Sequence, residues 1–230
     1  MLVWPVSLFV PKSLKFRPSL VSISGDVALD GTERFETRDG GGKWKATMSA
    51  VLWTLDKIRA AEAVEALAYG GVTIFEVPFW QYGAEPYPLG SAGGTVTHSD
   101  GSPFSDGAPY VSGTISITAA EDTALRSSTI KLNITVAGTI KGGEHFSISH
   151  NPPRGYSSEA GKRLYRIMQY DASTQIATIW PPLRAAVTAG TILDFDNPGL
   201  TMRLMNAETF MDDITPPIIS QAQPQFTEAF

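Results

Sequence analysis

The chain has 230 residues, a net charge of −5, no cysteine, 21 glycines and 16 prolines. Its length allows one large or two small domains, and its 43% hydrophobic content is enough for a core. The lack of cysteine excludes disulfides, thiolate metal sites and cysteine catalysis. The acidic balance, without any run of Lys or Arg, disfavours nucleic acid as a partner.

The first quarter of the chain predicts strands. Residues 1–19 contain three prolines and no basic leader, so we expect an extended arm or first strand rather than a signal peptide. Strands are predicted at 20–24 and 32–38, and residues 43–50 alternate between polar and apolar side chains, as a half-buried strand does. The apolar positions of this alternation are Trp44, Ala46, Met48 and Ala50.

One helix is predicted, over residues 54–69. Thr54 suits the N-cap position, and two glycines follow the last apolar residue of the periodic stripe. A strand is expected at 72–80. Residues 81–109 then predict a loop, and loops of that length are usually functional, interfacial or disordered. No run of about 18 apolar residues is present, so we expect no membrane insertion.

The second half predicts further short strands. A repeated pattern, VAGTI at 136–140 and VTAGTI at 187–192, suggests two glycine turns that each enter a strand of a small β-barrel. The predicted strands of this half lie at 110–118, 128–136, 144–148, 163–171, 175–181, 191–195 and 200–206, followed by a terminal strand.

These elements predict a mainly β fold with two domains. The first is an antiparallel β-sandwich or barrel formed by residues 1–118 and 197–230, and it includes the helix at 54–69. The second is a small β-barrel-like domain at 119–196, inserted into the first. Insertion is tolerated where both ends of the inserted segment lie close together.

Motifs for metal binding are weak. The loop at 98–107 collects His98, two serines and two aspartates, but lacks the glutamate that closes a calcium loop, so two Asp-Gly turns are favoured. The other histidines, His145 and His150, have no second ligand at a zinc spacing. We expect no metal and no cofactor.

Motifs for catalysis are equally weak. No G-x-S-x-G is present, and the stretch GGEHFSISH alternates as a strand. The carboxylate pairs Asp194/Asp196 and Asp212/Asp213 lie beside turns, where solvated acids are common, and the glycines at 40–42 and 93–94 lack the Lys and Ser/Thr of a phosphate loop. We therefore expect no enzymatic activity.

Aromatic residues supply the interface candidates. Aromatic side chains are enriched both in cores and at interfaces, so core packing and carbohydrate stacking remain alternatives to subunit contact. The rigid corner at Pro181 and Pro182 predicts that Trp180 packs in the core of the small domain and that Arg184 pairs with an acid or a neighbouring subunit. The candidates for subunit contact are Trp4, Trp44, Trp53, Phe79, Trp80 and Arg184.

Four segments resemble tail proteins of long-tailed (siphophage-type) bacteriophages and prophages, especially those of alphaproteobacterial type. The first is MLVWP with SLVSISG. The second is GGGKWKATMSAV with the helix DKIRAAEAVEALAYGG, and the third is HSDGSPFSDGAPY. The fourth is EHFSI with KRLYRIMQYDASTQIATIWPPLRAAVTAGTILDFDNP, followed by TMRLMN and FTEAF. The insert HNPPRGYSSEAG departs from the pattern by its length.

The resemblance implies a structural virion protein, a distal-tail or hub ring that joins the tail tube to the baseplate or tip. Its implied partners are copies of itself in a ring of six or three subunits, the tail tube protein, and hub, baseplate and fibre proteins. It implies assembly in the bacterial cytoplasm, location in the virion, and no direct nucleic-acid binding, with an acidic lumen that repels passing DNA. The alternative function is a tail-tip module that binds a host-surface carbohydrate.

Overall fold

The structure is a computed structural model and is mainly β, with two principal sheets, one of which curls into a half-barrel. The described residues are 2–19, 22–25, 29–33, 35–37, 42–79, 85–87, 94–96, 110–112, 115–150, 161–211 and 220–229.

The described part of the chain contains one α-helix among many short strands, as the glycine and proline content indicates. In chain order the elements are β1 (Leu2–Val3), β2 (Pro11–Ser19), β3 (Ser22–Ser24), β4 (Phe35–Thr37), β5 (Lys43–Leu52), α1 (Leu55–Ala68), a 3₁₀ turn (Tyr69–Gly71), β6 (Ile74–Pro78), β7 (Gly94–Val96), β8 (Tyr110–Ser112), β9 (Ser116–Ala119), β10 (Thr129–Val136), β11 (His145–His150), β12 (Gly161–Asp171), β13 (Ile176–Trp180), β14 (Gly199–Leu204), β15 (Ser220–Ala222) and β16 (Gln225–Glu228).

The chain divides into two compact units. Unit 1 comprises Met1–Pro78 and Leu200–Phe230, and unit 2 comprises Phe79–Gly199. The first boundary therefore falls well before the predicted one at residue 118. The physical reason is that β9 pairs with β10 in the sheet of unit 2, whereas the predicted single strand at 110–118 is two strands, since β8 pairs with β7.

Unit 1 is built on a seven-stranded sheet around β5. Residues 45–47 of β5 pair with β16 on one side and with β2 on the other, and β15 pairs with the end of β5. β14 joins β16 to β6, and β1 runs parallel to β6 at the edge. The predicted alternation of β5 is confirmed, because its four apolar positions are each 1% exposed.

Helix α1 confirms the predicted helix within one residue at each end. The Thr54 hydroxyl accepts a hydrogen bond from the Lys57 amide at 3.3 Å, which caps the first turn. Tyr69 ends the helix in the left-handed region with φ 44°. The buried side chains of α1 are Ile58, Ala61, Val64 and Ala68.

The core of unit 1 is an aromatic cluster around Trp4. The indole stacks on Phe9, with 4.7 Å between ring centroids, and meets Phe75 and Phe226 edge to face at 5.4 Å and 4.8 Å. Phe210 completes the cluster at 6.5 Å. Rings from the chain start, from β6 and from β16 thus hold distant parts of the sequence in one layer.

Unit 2 is built on the five-stranded antiparallel sheet β11-β12-β13-β10-β9. Its buried side chains include Phe146, Tyr165, Ile179, Leu193 and Phe195. The predicted strand at 191–195 is not a regular strand. It forms isolated bridges instead, with Ile192 opposite Thr118 of β9 and Asp194 opposite Ser147 of β11.

Candidate functional site

Trp4 and Trp44, two of the predicted subunit contacts, belong to the core. Each is 1% exposed. A side chain with so little accessible surface packs inside its own unit and has no area left for a neighbouring subunit, so both assignments are corrected. Trp4 fills the aromatic cluster of unit 1, and Trp44 lies on the buried face of β5, where its amide donates to the Glu228 carboxylate at 3.1 Å.

Among the predicted contacts that lie in the described part of the chain, Trp53 has the largest exposed fraction. It follows the last residue of β5, directly precedes the N-cap of α1, and is 67% exposed. Phe79 is half-buried; its ring lies against His145, with 4.4 Å between centroids, and its amide donates to the Pro198 carbonyl at 2.8 Å. Trp80 lies outside the described residues.

The Pro-Pro corner of unit 2 differs from its prediction. Trp180 is half-buried and is not part of the buried cluster, whereas Ile179 before it and Leu183 after it are buried. The strand alternation of β13 accounts for this, because Ala177 and Ile179 occupy the inward positions. Arg184 is also half-buried, and its expected pairing with an acid or a neighbouring subunit stays a prediction.

A buried polar network links this corner to the sheet. The Arg184 amide donates to the Tyr165 hydroxyl at 3.0 Å, and that hydroxyl lies 2.8 Å from Nε2 of His150. Because the oxygen accepts from the amide, its own proton is available for the imidazole, and Nε2 accepts it in the tautomer that carries its hydrogen on Nδ1. Tyr165 is 0% and His150 7% exposed. The network therefore ties three separate segments together inside unit 2.

The protonation of both histidines in unit 2 agrees with structural roles. Burial, with a smaller effect of the Arg163 charge, lowers the pKa of His150 to about 4. Burial, followed by the Arg166 charge, lowers the pKa of His145 to about 4 as well. Both imidazoles are therefore neutral at neutral pH. A neutral imidazole, unlike a charged one, has a ring nitrogen that can accept a hydrogen bond from the Tyr165 hydroxyl.

The carboxylate pair Asp194/Asp196 forms local hydrogen bonds. Both oxygens of Asp196 accept from the Ile115 amide, at 3.3 and 3.1 Å. Asp194 accepts from the Asn197 amide at 2.9 Å and pairs with Lys162 at 3.4 Å. These contacts hold the end of the 191–195 segment against the start of β9 and against β12. The second pair, Asp212/Asp213, lies outside the described residues.

The stretch GGEHFSISH forms a turn and a strand. The Glu144 carboxylate accepts from the Lys141 and Gly142 amides, both at 2.7 Å. Gly142 and Gly143 have φ near 100°, a region that favours glycine, so they fit the tight turn that this carboxylate caps. Ser147 is 1% exposed on β11 and lies in the core rather than at an accessible nucleophile position.

The described residues provide neither a cluster of metal ligands nor a helix that could span a membrane. Among those residues, no group of three or more metal-ligating side chains lies close enough to hold an ion. Across the same part of the chain, no helix has the length and apolar character needed to cross a membrane. The predicted turns at 98–107, with His98, the glycines at 93 and 40–41, and most of the insert at 150–161 lie outside the described residues.

No protein-family model matches the chain, and no curated protein matches it significantly.

Proposed function

We propose that the chain is a structural protein of a bacteriophage tail, a distal-tail or hub ring that joins the tail tube to the baseplate or tip. The four segments that resemble tail proteins of long-tailed phages motivate the proposal, and the mainly β architecture is compatible with it. In this proposal unit 1 is the ring-forming domain, of sandwich or barrel type, and unit 2 is a small barrel-like domain inserted into it.

The single structural observation that carries the proposal is the exposure of the Trp53 side chain. Indole is the largest apolar side chain, and it is concentrated in interface hot spots. Two thirds of its surface is accessible, and burying that area in a subunit contact is worth about 3–4 kcal/mol. Trp53 lies between β5 and α1, and these two regular elements fix its backbone, which lowers the entropic cost of a contact.

The polar groups of unit 2 support a structural role as well. His150, Glu144, Asp194 and Asp196 each bond to a hydroxyl, a backbone amide or a lysine of their own unit. Groups engaged in this way stabilise turns and strand ends. We accordingly propose a virion protein without enzymatic activity, assembled in the host cytoplasm from six or three copies and joined to tube, hub and fibre proteins.

The carbohydrate-binding alternative has less support from the described residues. Sugar stacking requires an open aromatic ring face, and Trp180 of unit 2 is half-buried between the buried neighbours Ile179 and Pro181. Binding of a host glycan by the purified protein, lost in Trp180→Ala, would instead favour that function.

The proposal is tested by particle composition and by assembly. Antibody labelling of purified phage particles is expected to mark the end of the tail, and mass spectrometry is expected to find the chain there. Trp53→Ser is expected to reduce ring formation in sedimentation velocity, while Met205→Ser, which removes another apolar side chain that is 65% exposed, leaves it unchanged. Absence from particles, together with a monomer at every concentration, overturns the proposal.

A further inference from the structure

One face of the unit 1 sheet is strongly basic, although the sequence has no basic run. The side chains on the face of β5 opposite the buried one include Lys43 and Lys45, both exposed. Residues directly opposite each other on antiparallel strands point to the same side. The pairings of β5 with β2 and of β16 with β14 therefore decide which other side chains share this face.

The strand register brings five cations together. Arg17 of β2 lies opposite Lys45, and Lys15 lies opposite Thr47. On the other side of β5, Thr227 of β16 lies opposite Lys45, and Arg203 of β14 lies opposite Thr227. We call this surface the basic face, and its cations are Lys15, Arg17, Lys43, Lys45 and Arg203.

Carboxylates are scarce on the strands that carry these cations. Among the described residues, no ion pair joins Lys15, Arg17, Lys45 or Arg203 to a carboxylate. Within β2, β5, β14 and β16 the only carboxylate is Glu228, which is 1% exposed and accepts the Trp44 amide on the buried side. Two like charges, Arg17 and Lys45, stand directly opposite each other, an arrangement that destabilises an isolated sheet.

The rest of the chain is correspondingly acidic. Five of the 18 basic residues lie on the basic face, so the other 13 stand against 23 acidic residues, and the remainder carries a net charge of −10. Residues 26–39 carry five carboxylates and two arginines, a net charge of −3. Within it, the described residues Asp30 and Glu33 are exposed.

We propose that the basic face binds the acidic segment 26–39 of a second copy of the chain. This inference rests on the proposed function, because it names the surfaces through which the subunits of the ring join. Lysine and arginine pair well with carboxylates, and the strands hold these cations in a rigid array. A nucleic acid fits less well, because the remaining charge of −10 repels a polyanion as it approaches.

The charge pattern also determines the geometry of assembly. Two basic faces repel each other, so the basic face cannot form a two-fold symmetric contact with itself. Face-to-segment contact joins two different surfaces, and where two copies do not exchange it reciprocally it closes into a ring or continues as a filament. Contacts of this type form fast and weaken as salt screens the charges.

The test is charge reversal with rescue in sedimentation velocity at about 0.05 M and about 0.5 M NaCl. Arg17→Glu with Lys45→Glu is expected to weaken self-association about tenfold or more at low salt. Arg59→Glu with Arg126→Glu changes the same charge at other exposed positions and is expected to have little effect. Mixing the basic-face variant with Asp26→Lys plus Glu33→Lys is expected to restore association, because the two reversed surfaces complement each other.

Each outcome is decisive. Rescue in the mixture supports the inference, whereas association that is unchanged by the basic-face variant, or equally weakened by the control variant, overturns it. Binding of a single-stranded oligonucleotide that is lost in the basic-face variant, without any effect on self-association, also overturns it in favour of a nucleic-acid surface.

The failure of this inference can be distinguished from the failure of the proposed tail function. If the chain is found in phage tails but its self-association does not respond to charge reversal, this inference alone is contradicted. Salt-sensitive association with rescue, in a chain absent from particles, contradicts only the tail function.

Discussion

Replacing Tyr165 by phenylalanine removes one hydroxyl from the buried network of unit 2 and leaves the packing volume almost unchanged. The ring stacks on Phe146, with 5.6 Å between centroids, and the phenylalanine ring keeps that contact. The hydroxyl, however, is the partner of two other groups, the Arg184 amide and Nε2 of His150. Its loss leaves the amide and the ring nitrogen without their partner in the interior.

The expected loss of stability follows from the two hydrogen bonds that disappear. A buried polar group that loses its hydrogen bond costs about 1–3 kcal/mol, and two groups are affected here. The Arg184 amide is only partly buried, and the neutral imidazole can change tautomer, so we expect a loss of about 2–4 kcal/mol in the free energy of unfolding of unit 2. Tyr170→Phe is the matched control, because Tyr170 is half-buried and packs against the same cluster.

The assay combines urea unfolding with amide hydrogen exchange. Tyr165→Phe is expected to lower the urea midpoint, and exchange of the Arg184 amide is expected to accelerate by about 30-fold or more, which corresponds to about 2 kcal/mol. Tyr170→Phe is expected to change the stability by less than about 0.5 kcal/mol. If Tyr165→Phe matched that control in both measurements, the network would have no role in holding the corner, and the reasoning would be wrong.

Three further predictions concern pH, the unit 1 core and a close backbone approach. The pKa values of His145 and His150 lie near 4 in the folded state against an ordinary 6.5, so the unfolded chain binds more protons between these values. The free energy of unfolding, measured by urea titration, should be highest above pH 6.5 and fall by up to about 3 kcal/mol per histidine as the pH drops to 4. Replacing both histidines by glutamine should flatten this profile. Trp4→Ala should lower the free energy of unfolding by about 3–5 kcal/mol. Trp4→Phe should lower it clearly less, because the indole N–H has no acceptor among the described residues and so loses no hydrogen bond. Equal losses for the two variants in urea unfolding would contradict this. Gly138→Ala should destabilise unit 2 by about 1–3 kcal/mol, because an added Cβ would collide with the Tyr87 carbonyl, and a neutral result in thermal unfolding would show that the segment can move aside.

Local signals in the sequence were sufficient for several elements. The cap residue Thr54 and the two glycines defined the helix, because capping and termination depend on residues within one turn. The period of two in β5 defined both its strand and its buried face, since side chains alternate wherever a strand forms. These features require no knowledge of which strands are neighbours.

Long-range pairing was the information that local signals lacked. Trp4 follows two exposed residues in an apolar arm, and nothing nearby indicates that rings from β6 and β16 surround it. The same applies to β9, whose sequence continues the apolar run from 110 but whose partner is β10. The Tyr165 network was equally hidden, because its three members are separated by 15 and 19 residues and meet only after the sheet has formed.

The basic face shows the same limit for charge. A net charge of −5 describes the field far from the molecule, whereas a contact between subunits responds to the charges within about 10 Å. Lys15 and Arg17 reach Lys45 only through the register of β2 against β5, and Arg203 reaches it only through β16. If the proposed ring has an acidic lumen that repels DNA, the basic face cannot line that lumen, because its cations would bind the phosphates. It must then lie between subunits or on the outside, and of these two positions only the first neutralises the directly opposed charges of Arg17 and Lys45.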